Sequence, residues 1–165
     1  DIPATEEEID ELMDVFTSYY GIHNQIKTKP YSGILEVIRT LRKKGIRCAV
    51  ASNKDDEHVQ SLSKNLFPGL FDISIGRNSK MAIKPDPEMI LSIARRLGIK
   101  VKEIVYIGDS EVDIMTGKKG GFPSISVAWG FRTGEFLKNH GAERIADKPE
   151  DIIEIIKKIQ MTDSR

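Results

Sequence analysis

The sequence predicts an α/β fold in which a parallel, doubly wound sheet carries helices on both faces. From Tyr31 onward, short apolar runs of strand length alternate with segments of helix length. Such alternation is typical of parallel strands joined by right-handed helical crossovers. The length of 165 residues suits a domain with its own hydrophobic core. A polar stretch over residues 22–30 separates a first helix from this alternating body.

The first helix is predicted over residues 4–20. Thr5 precedes Glu8 at the spacing of a capping box, and acidic residues crowd the first turns, where the helix dipole favours them. Gly21 is the predicted end of this helix. Apolar residues recur on one side of it at helical intervals: Ile9, Leu12, Met13, Phe16 and Tyr20.

The alternating body is predicted from periodic apolar residues that are bounded by glycine and proline. The predicted strands cover residues 47–52, 73–75, 103–107, 124–127 and 144–146. The predicted helices cover residues 34–44, 55–65, 87–97, 112–119, 134–139 and 149–159. Ligands bind beyond the carboxyl ends of the strands in such sheets, so functional residues are expected just after each strand.

Two carboxylates follow the predicted strand 103–107. Gly108 allows a tight exit from the strand, Asp109 comes next, and Asp113 lies one helical turn further on the same side. Carboxylates at this spacing suit Mg²⁺, which takes one or two of them and keeps several waters. The segment also suits a plain helix N-cap formed by Asp109 or Ser110, and alone it leaves both interpretations open.

Two more motifs occupy similar places in the predicted topology. Ser52 and Asn53 follow the strand 47–52, where a hydroxyl and exposed backbone amides can bind phosphate. Lys84 precedes Pro85 on a stiff turn and provides a fixed positive charge. Each motif alone is more typical of a helix cap or a solvated loop. Together with the two aspartates, they provide what is needed to hold a phosphoryl group and offset its charge.

These motifs together resemble those of the haloacid dehalogenase superfamily of hydrolases, and most closely its phosphoglycolate phosphatase-like branch with a helical cap. Residues 52–54 (Ser-Asn-Lys) are similar to the second family motif and residues 84–87 (Lys-Pro-Asp-Pro) to the third. Residues 108–113 are similar to the fourth, and the run 127–132 also resembles this branch. The resemblance implies a Rossmann-like core with the remnant of a helical cap at its N-terminal side.

The resemblance also implies an activity, which is the Mg²⁺-dependent hydrolysis of a phosphomonoester through an aspartyl-phosphate. Splitting one displacement into two easier ones is the advantage of such a covalent route. Asp109 would ligate Mg²⁺, and Asp113 would either ligate it or hold its waters.

The remaining site residues are carried over in the same way. Ser52 and the Asn53 amide would bind the phosphoryl oxygens. Lys84 would be the catalytic cation between the nucleophile and the phosphate. Lys54 is a candidate substrate contact, and Arg132 is a candidate for either a substrate contact or a structural role.

The first family motif, Asp-x-Asp-Gly-Thr after an apolar strand, has no counterpart in this sequence. Residues 1–28 are predicted to be the tail of the cap with a linker, and residues 29–165 the core without its first, central strand. The nucleophile and the general acid/base would then be absent, so the chain is not expected to be a complete enzyme by itself. We expect an N-terminal segment, a second chain or a swapped subunit to cover the two strand edges left unpaired.

Charge and composition narrow the expected partners. The chain has 25 basic and 25 acidic residues, so it offers no overall field to nucleic acid or to an anionic membrane. The one cysteine, Cys48, cannot form an internal disulfide, which favours a reducing, cytoplasmic location. The expected partner is a small phosphorylated metabolite.

Two other functions fit the sequence. A non-catalytic module that keeps a Mg²⁺ or phosphate site would fit the absent first motif. A phosphomutase of the same superfamily would fit the motifs equally, because that choice is made largely in the cap. A dehalogenase needs no metal, so Asp109 and Asp113 argue against it.

Overall fold

The computed structural model describes residues 5–23 and 27–163, which form two compact units. One unit extends to Pro30 and the other begins at Tyr31. The sequence placed this boundary two residues earlier, between residues 28 and 29. None of the helices in the described ranges is long and apolar enough to cross a lipid bilayer.

The N-terminal unit contains helix α1 (Glu6–His23). The predicted capping box is confirmed, because the Thr5 amide donates to Glu8 Oε2 (2.8 Å) and the Glu8 amide donates to Thr5 Oγ1 (3.3 Å). The predicted end at Gly21 is wrong, since the helix continues for two more residues. One glycine inside a helix costs only about 1 kcal/mol, which its neighbours can offset.

The predicted apolar side of α1 is largely exposed where it is described. Ile9, Leu12 and Met13 each expose about half or more of their surface. The side chains of Phe16 and Tyr20 lie outside the described residues.

The second unit alternates strands and helices, which confirms the predicted α/β class. Its strands are β1 (Ala49–Asp55), β2 (Ile73–Arg77), β3 (Tyr106–Gly108), β4 (Ser124–Val127) and β5 (Ile145–Ala146). Its helices are α2 (Ile34–Lys43), α3 (Asp56–Leu66), α4 (Glu88–Leu97), α5 (Glu111–Gly120), α6 (Gly134–Asn139) and α7 (Asp151–Asp163).

The predicted bounds of 124–127 are confirmed, and the other four predicted strands differ from the structure at one or both ends, two of them by three residues. The strand predicted to end at Ser52 continues to Asp55, which pairs with Arg77 across the sheet. The strand predicted to begin at Glu103 begins at Tyr106 instead. Residues 101–103 form a short 3₁₀ turn, in which the Glu103 side chain accepts a hydrogen bond from the Lys100 amide (2.9 Å). Such a local side-chain bond competes with strand pairing.

The strands form two parallel sheets, β1–β2 and β3–β4–β5. Among the described residues, β1 therefore pairs on one edge only, and so does β3. Helices cover both faces of this layer. One core cluster joins α2 and α7 to β4 and β5, and the other joins α4 to β2 and Tyr106. The adjacent residues Val105 and Tyr106 belong to different clusters, as expected for alternating side chains along a strand.

A cavity of about 410 Å³ lies between the free edges of β1 and β3, and we call it the inter-sheet slot. Its walls include every residue of 47–51 and every residue of 103–107. Successive side chains of a strand point to opposite faces, so a cavity that touches all of them in a row follows the strand edge. Apolar residues of α2, α4 and α7 complete the walls, such as Leu41, Ile93 and Ile156.

Candidate active site

The three predicted motifs meet at the carboxyl ends of β1 and β3. Asn53 and Lys84 bind each other reciprocally: the Lys84 amide donates to Asn53 Oδ1 (2.8 Å), and Asn53 Nδ2 donates to the Lys84 carbonyl (2.9 Å). Lys84 in turn donates from Nζ to Asp113 Oδ1 (2.9 Å). The structure therefore connects the end of β1, the turn at Lys84–Pro85 and the start of α5 through direct contacts. That turn contains a cis peptide bond between Lys84 and Pro85.

Asp113 is the most heavily bonded side chain of this group. Its Oδ1 accepts from Lys84 Nζ and from Tyr106 Oη (2.7 Å), and its Oδ2 accepts from Ser110 Oγ (2.6 Å) and from the Asp109 amide (3.2 Å). A carboxylate has about four acceptor positions, so these four donors saturate it. Asp113 is therefore held rigidly by contacts within the chain.

Burial and neighbouring charge shift the pKa of Asp113 in opposite directions. Burial raises its pKa, but the charge of Lys84 and the hydrogen bonds from Ser110, Lys84 and Tyr106 outweigh burial, so the pKa lies below its ordinary value. The Asp113 side chain is 9% exposed and that of Lys84 is 16% exposed, so solvent screens the pair only weakly. Burial and the charge of Asp113 raise the pKa of Tyr106, whose hydroxyl therefore remains a donor.

Asp109 differs from Asp113 because one of its oxygens is left open. Its Oδ2 accepts from the Phe131 amide (2.9 Å), and its carbonyl accepts from the Arg132 amide (3.2 Å). Gly130 approaches so closely that a Cβ there would lie 2.3 Å from Oδ2. No described residue hydrogen-bonds to Oδ1. The loop after β4 thus fixes the orientation of Asp109 and leaves one oxygen for another ligand.

The phosphate-binding candidates at the end of β1 are only partly engaged. The Asn53 side chain is occupied by Lys84, so its backbone amide is the group that could meet an anion. Ser52 Oγ accepts from the Lys54 amide (3.2 Å), which leaves the Ser52 hydroxyl hydrogen for another acceptor. Lys54 follows directly in the same strand.

Arg132 is held by an ion pair. Its Nε and Nη2 donate to the two oxygens of Glu111 (2.9 and 2.6 Å). Its guanidinium carbon lies 4.6 Å from the ring centres of both Phe131 and Phe136. The hydrogen bond from Arg132 lowers the pKa of Glu111 to about 2. The guanidinium is therefore largely committed to protein groups, whereas the sequence made it a candidate substrate contact.

Sequence reasoning missed three members of this site. Tyr106 carried no signal beyond that of an apolar strand residue, and its bond to Asp113 depends on packing between β3 and α5. Glu111 is one acidic residue among several at the start of α5, and its bond to Arg132 depends on where the loop after β4 lies. Phe131 exposes 74% of its surface and contributes its backbone amide, a group that every residue other than proline carries.

The oxygen atoms of this site could supply only part of the coordination shell of a hard cation such as Mg²⁺. Among the described residues, no three His, Cys, Asp or Glu side chains come together as a complete metal site. Asp109 Oδ1 supplies one carboxylate oxygen, and Mg²⁺ needs only one or two carboxylates when waters and phosphate oxygens complete its shell. The residues present therefore fit Mg²⁺ as an incomplete site that needs further oxygens.

Comparison with known proteins shows the family to which the chain belongs. Residues 2–127 match the family model of haloacid dehalogenase-like hydrolases. A phosphoglycolate phosphatase from Salmonella typhi is 30% identical over 154 residues, which are 93% of this chain and 61% of the relative. The phosphoglycolate phosphatase of Escherichia coli K12 is 32% identical over 138 residues, which are 83% and 54% of the two chains.

A solved structure is also similar. The crystal structure of a candidate phosphoglycolate phosphatase from Lactobacillus delbrueckii subsp. bulgaricus superposes with a TM-score of 0.90 at 44% identity. The match covers 94% of this chain and 66% of that one. The chain thus spans 54–66% of the length of these three relatives.

Proposed function

We propose that this chain, which belongs to the haloacid dehalogenase-like hydrolase family, forms the phosphate- and metal-binding part of a phosphomonoester hydrolase. The observation that carries the proposal is the convergence of Asn53, Lys84, Asp109 and Asp113 beyond the ends of two parallel strands. These groups provide fixed positive charge and a carboxylate with one open oxygen. They are suited to binding a dianion and to offsetting its charge during transfer.

Each residue has a distinct part in the proposed reaction. The Ser52 hydroxyl and the Asn53 amide hold phosphoryl oxygens, and Lys84 neutralises charge beside them. Asp109 would hold Mg²⁺, which would supply positive charge to offset that of the phosphoryl group. The sequence left two roles for Asp113, which were to ligate the metal or to hold its waters. Its four hydrogen bonds support a different role, in which Asp113 positions Lys84 and does not touch the metal.

The nucleophile comes, in this proposal, from polypeptide outside residues 1–165. Neither aspartate described above is available to attack, because Asp113 is saturated and Asp109 is assigned to the metal. An aspartate oxygen of the added segment would attack phosphorus while the bond to the alcohol oxygen breaks. A second carboxyl group would give its proton to the leaving alkoxide. That same group would then take a proton from water, which attacks phosphorus, releases phosphate and restores the aspartate.

The inter-sheet slot supports a β-strand as the carrier of this nucleophile. An occupant between the free edges of β1 and β3 would meet unpaired backbone groups on both sides. Its lining residues are apolar apart from a few such as Arg47, Glu103 and Gln160, which suits the nearly continuous apolar run of a buried parallel strand. The slot ends at Ala51 and Ile107, which directly precede Ser52 and Gly108. A strand running parallel to its neighbours would therefore release its next residue into the site.

The proposed substrate is a small phosphomonoester, and the names of the relatives make phosphoglycolate the first to try. Nucleic acid and membrane are not among the proposed partners, because the 25 basic and 25 acidic residues cancel. A cytoplasmic location belongs to this proposal as well, since the only cysteine of the sequence has no partner for an internal disulfide.

Beryllofluoride trapping tests the proposal. The chain is mixed with Mg²⁺, beryllofluoride and a synthetic peptide of about five β-branched apolar residues followed by Asp-x-Asp-Gly-Thr. We expect a bound ¹⁹F NMR signal with the peptide and none without it. Two controls should remove the signal: a peptide whose first aspartate is asparagine, and the Asp109→Asn variant of the chain. Equal signals with and without the peptide aspartate would contradict the proposal.

A binding module without catalysis is the second candidate, and the saturation of Asp113 favours it, because the described site then has no free nucleophile. It predicts that inorganic phosphate binds to the chain alone in the presence of Mg²⁺. It also predicts that the peptide adds neither a trapped beryllofluoride signal nor turnover. The trapping experiment therefore separates the two candidates.

A further inference from the structure

The loop after β4 makes close contacts with Asp109 that the sequence did not predict, because the loop lies far from Asp109 along the chain. It supplies consecutive main-chain donors to a single residue, since the Phe131 amide bonds Asp109 Oδ2 and the Arg132 amide bonds the Asp109 carbonyl. Gly130 lets the loop come close enough to do so, because no side chain would fit between it and Asp109. The orientation of Asp109 therefore depends on where this loop lies.

The position of the loop depends in turn on Arg132. The two-pronged bond to Glu111 ties the loop to the first turn of α5, two residues beyond Asp109. The rings of Phe131, in the loop, and Phe136, in α6, lie at equal distances from the guanidinium, which packs against both of them. Planar stacking and paired donors of this kind are available to arginine and not to lysine.

We propose that Arg132, through its ion pair with Glu111, is a positioning residue that orients Asp109 and leaves Oδ1 open for the metal. The inference rests on the proposed function in one respect only, which is that Asp109 receives the metal. A direct contact of Arg132 with substrate is the competing role. The two roles differ in their dependence on Glu111. If Arg132 positions Asp109, it needs its ion pair with Glu111. If Arg132 binds substrate, removing Glu111 frees the guanidinium to do so.

The test compares Arg132→Met, Glu111→Gln and the double variant of the 165-residue chain. The first measurement needs no metal and is the hydrogen-exchange rate of the Phe131 amide by NMR. The second is the apparent Kd for Mn²⁺, used as the probe for the metal site. Thermal melts confirm that all variants are compared in the folded state. Arg132→Lys is a conservative variant that keeps the charge without the two-pronged bond.

We expect each single variant to speed Phe131 exchange several-fold and to raise the Mn²⁺ Kd by about 10-fold. In the double variant, the exchange rate and the Mn²⁺ Kd should exceed those of either single variant by no more than about twofold. This is expected because the two residues act as one unit. Arg132→Lys should lie between the parent and Arg132→Met. The matched control removes the exposed pair Arg39–Glu36 on α2, at 2.7 Å, and should change neither measurement.

Two results would overturn the inference. One is that Phe131 amide exchange and Mn²⁺ affinity are both unchanged in Arg132→Met. The other is that Arg132→Met changes them whereas Glu111→Gln does not. The failure of the proposed metal site has a different signature, in which Asp109→Asn leaves the Mn²⁺ Kd unchanged. In that case Phe131 exchange would still report whether the pair positions Asp109.

Discussion

At the scale of single residues, the candidate site is organised around the carboxylate of Asp113. Four donors meet on it, from the turn at Lys84, from Tyr106 in β3 and from the two residues that precede α5. The local sequence was enough to predict Asp113 and Lys84, because their motifs lie beside strand ends. It could not predict Tyr106, because nothing nearby in the sequence distinguishes a tyrosine that packs from one that also donates.

Replacing Asp113 by asparagine should destabilise the chain strongly. The change leaves Lys84 largely buried without its counter-charge, and breaking such a pair costs about 3 kcal/mol in the free energy of unfolding. Tyr106→Phe is the matched control, since it removes one donor to the same oxygen and should cost about 1 kcal/mol. Urea denaturation measures both. Equal losses in the two variants would show that the charge of Asp113 matters no more than one hydrogen bond.

At the scale of elements, the end of β1 is irregular where it carries the second motif. β1 pairs regularly with β2 from Ala49 to Ala51, and pairing resumes only between Asp55 and Arg77. The residues between, 52–54, leave the ladder and carry the second motif. The sequence predicted that the strand ends at Ser52, which is where regular pairing stops. It could not show that pairing resumes, because that depends on Arg77, whose guanidinium bonds Asp55 Oδ1.

The start of this element is tied to its neighbours by Asp72. Its carboxylate accepts from Arg42 Nη1 at the end of α2 (2.6 Å) and from the Cys48 amide before β1 (2.9 Å). The hydrogen bond from Arg42 lowers the pKa of Asp72 below its ordinary value of 3.8. Burial opposes this effect more weakly, and the hydrogen bond from the Cys48 amide adds a still smaller lowering. This contact therefore couples the junction of α2, β1 and β2 to pH.

Asp72→Asn should lower the free energy of unfolding at neutral pH and not in acid. A depressed pKa stabilises the fold above the unfolded value and stops doing so as the pH falls through the folded value. We expect a loss of about 1 kcal/mol at pH 7, a modest figure because solvent screens the partly exposed pair. The difference should shrink below pH 4 and vanish once Asp72 is protonated. Chemical denaturation at pH 7 and in acid measures it.

The control for this prediction is Glu36→Gln, which removes the exposed pair with Arg39 on α2 and should change stability little at pH 7. A difference between Asp72→Asn and the parent that stays constant from pH 7 into strong acid would contradict the prediction. It would mean that the side-chain shape of Asp72, and not its charge, holds the junction.

At the scale of the whole molecule, the chain provides two half-sheets whose free edges face one apolar slot. The α/β class was predictable because alternating strand and helix signals persist from Tyr31 to α7. The order of the strands was not, because apolar runs do not specify which strand pairs with which. The absent first motif predicted unpaired edges, and the slot between Ala51 and Ile107 is where those edges lie.

The most direct test of the central claim is phosphate release from phosphoglycolate by the chain, the strand peptide and Mg²⁺ together. The account predicts turnover that needs all three components. It also predicts that Asp109→Asn lowers the rate by about 100-fold or more while the fold, followed by circular dichroism, is unchanged. Peptide-dependent turnover that survives within a few-fold in Asp109→Asn would contradict the proposed metal site. Transfer of the phosphoryl group to a sugar phosphate without release of free phosphate would contradict the proposed hydrolysis.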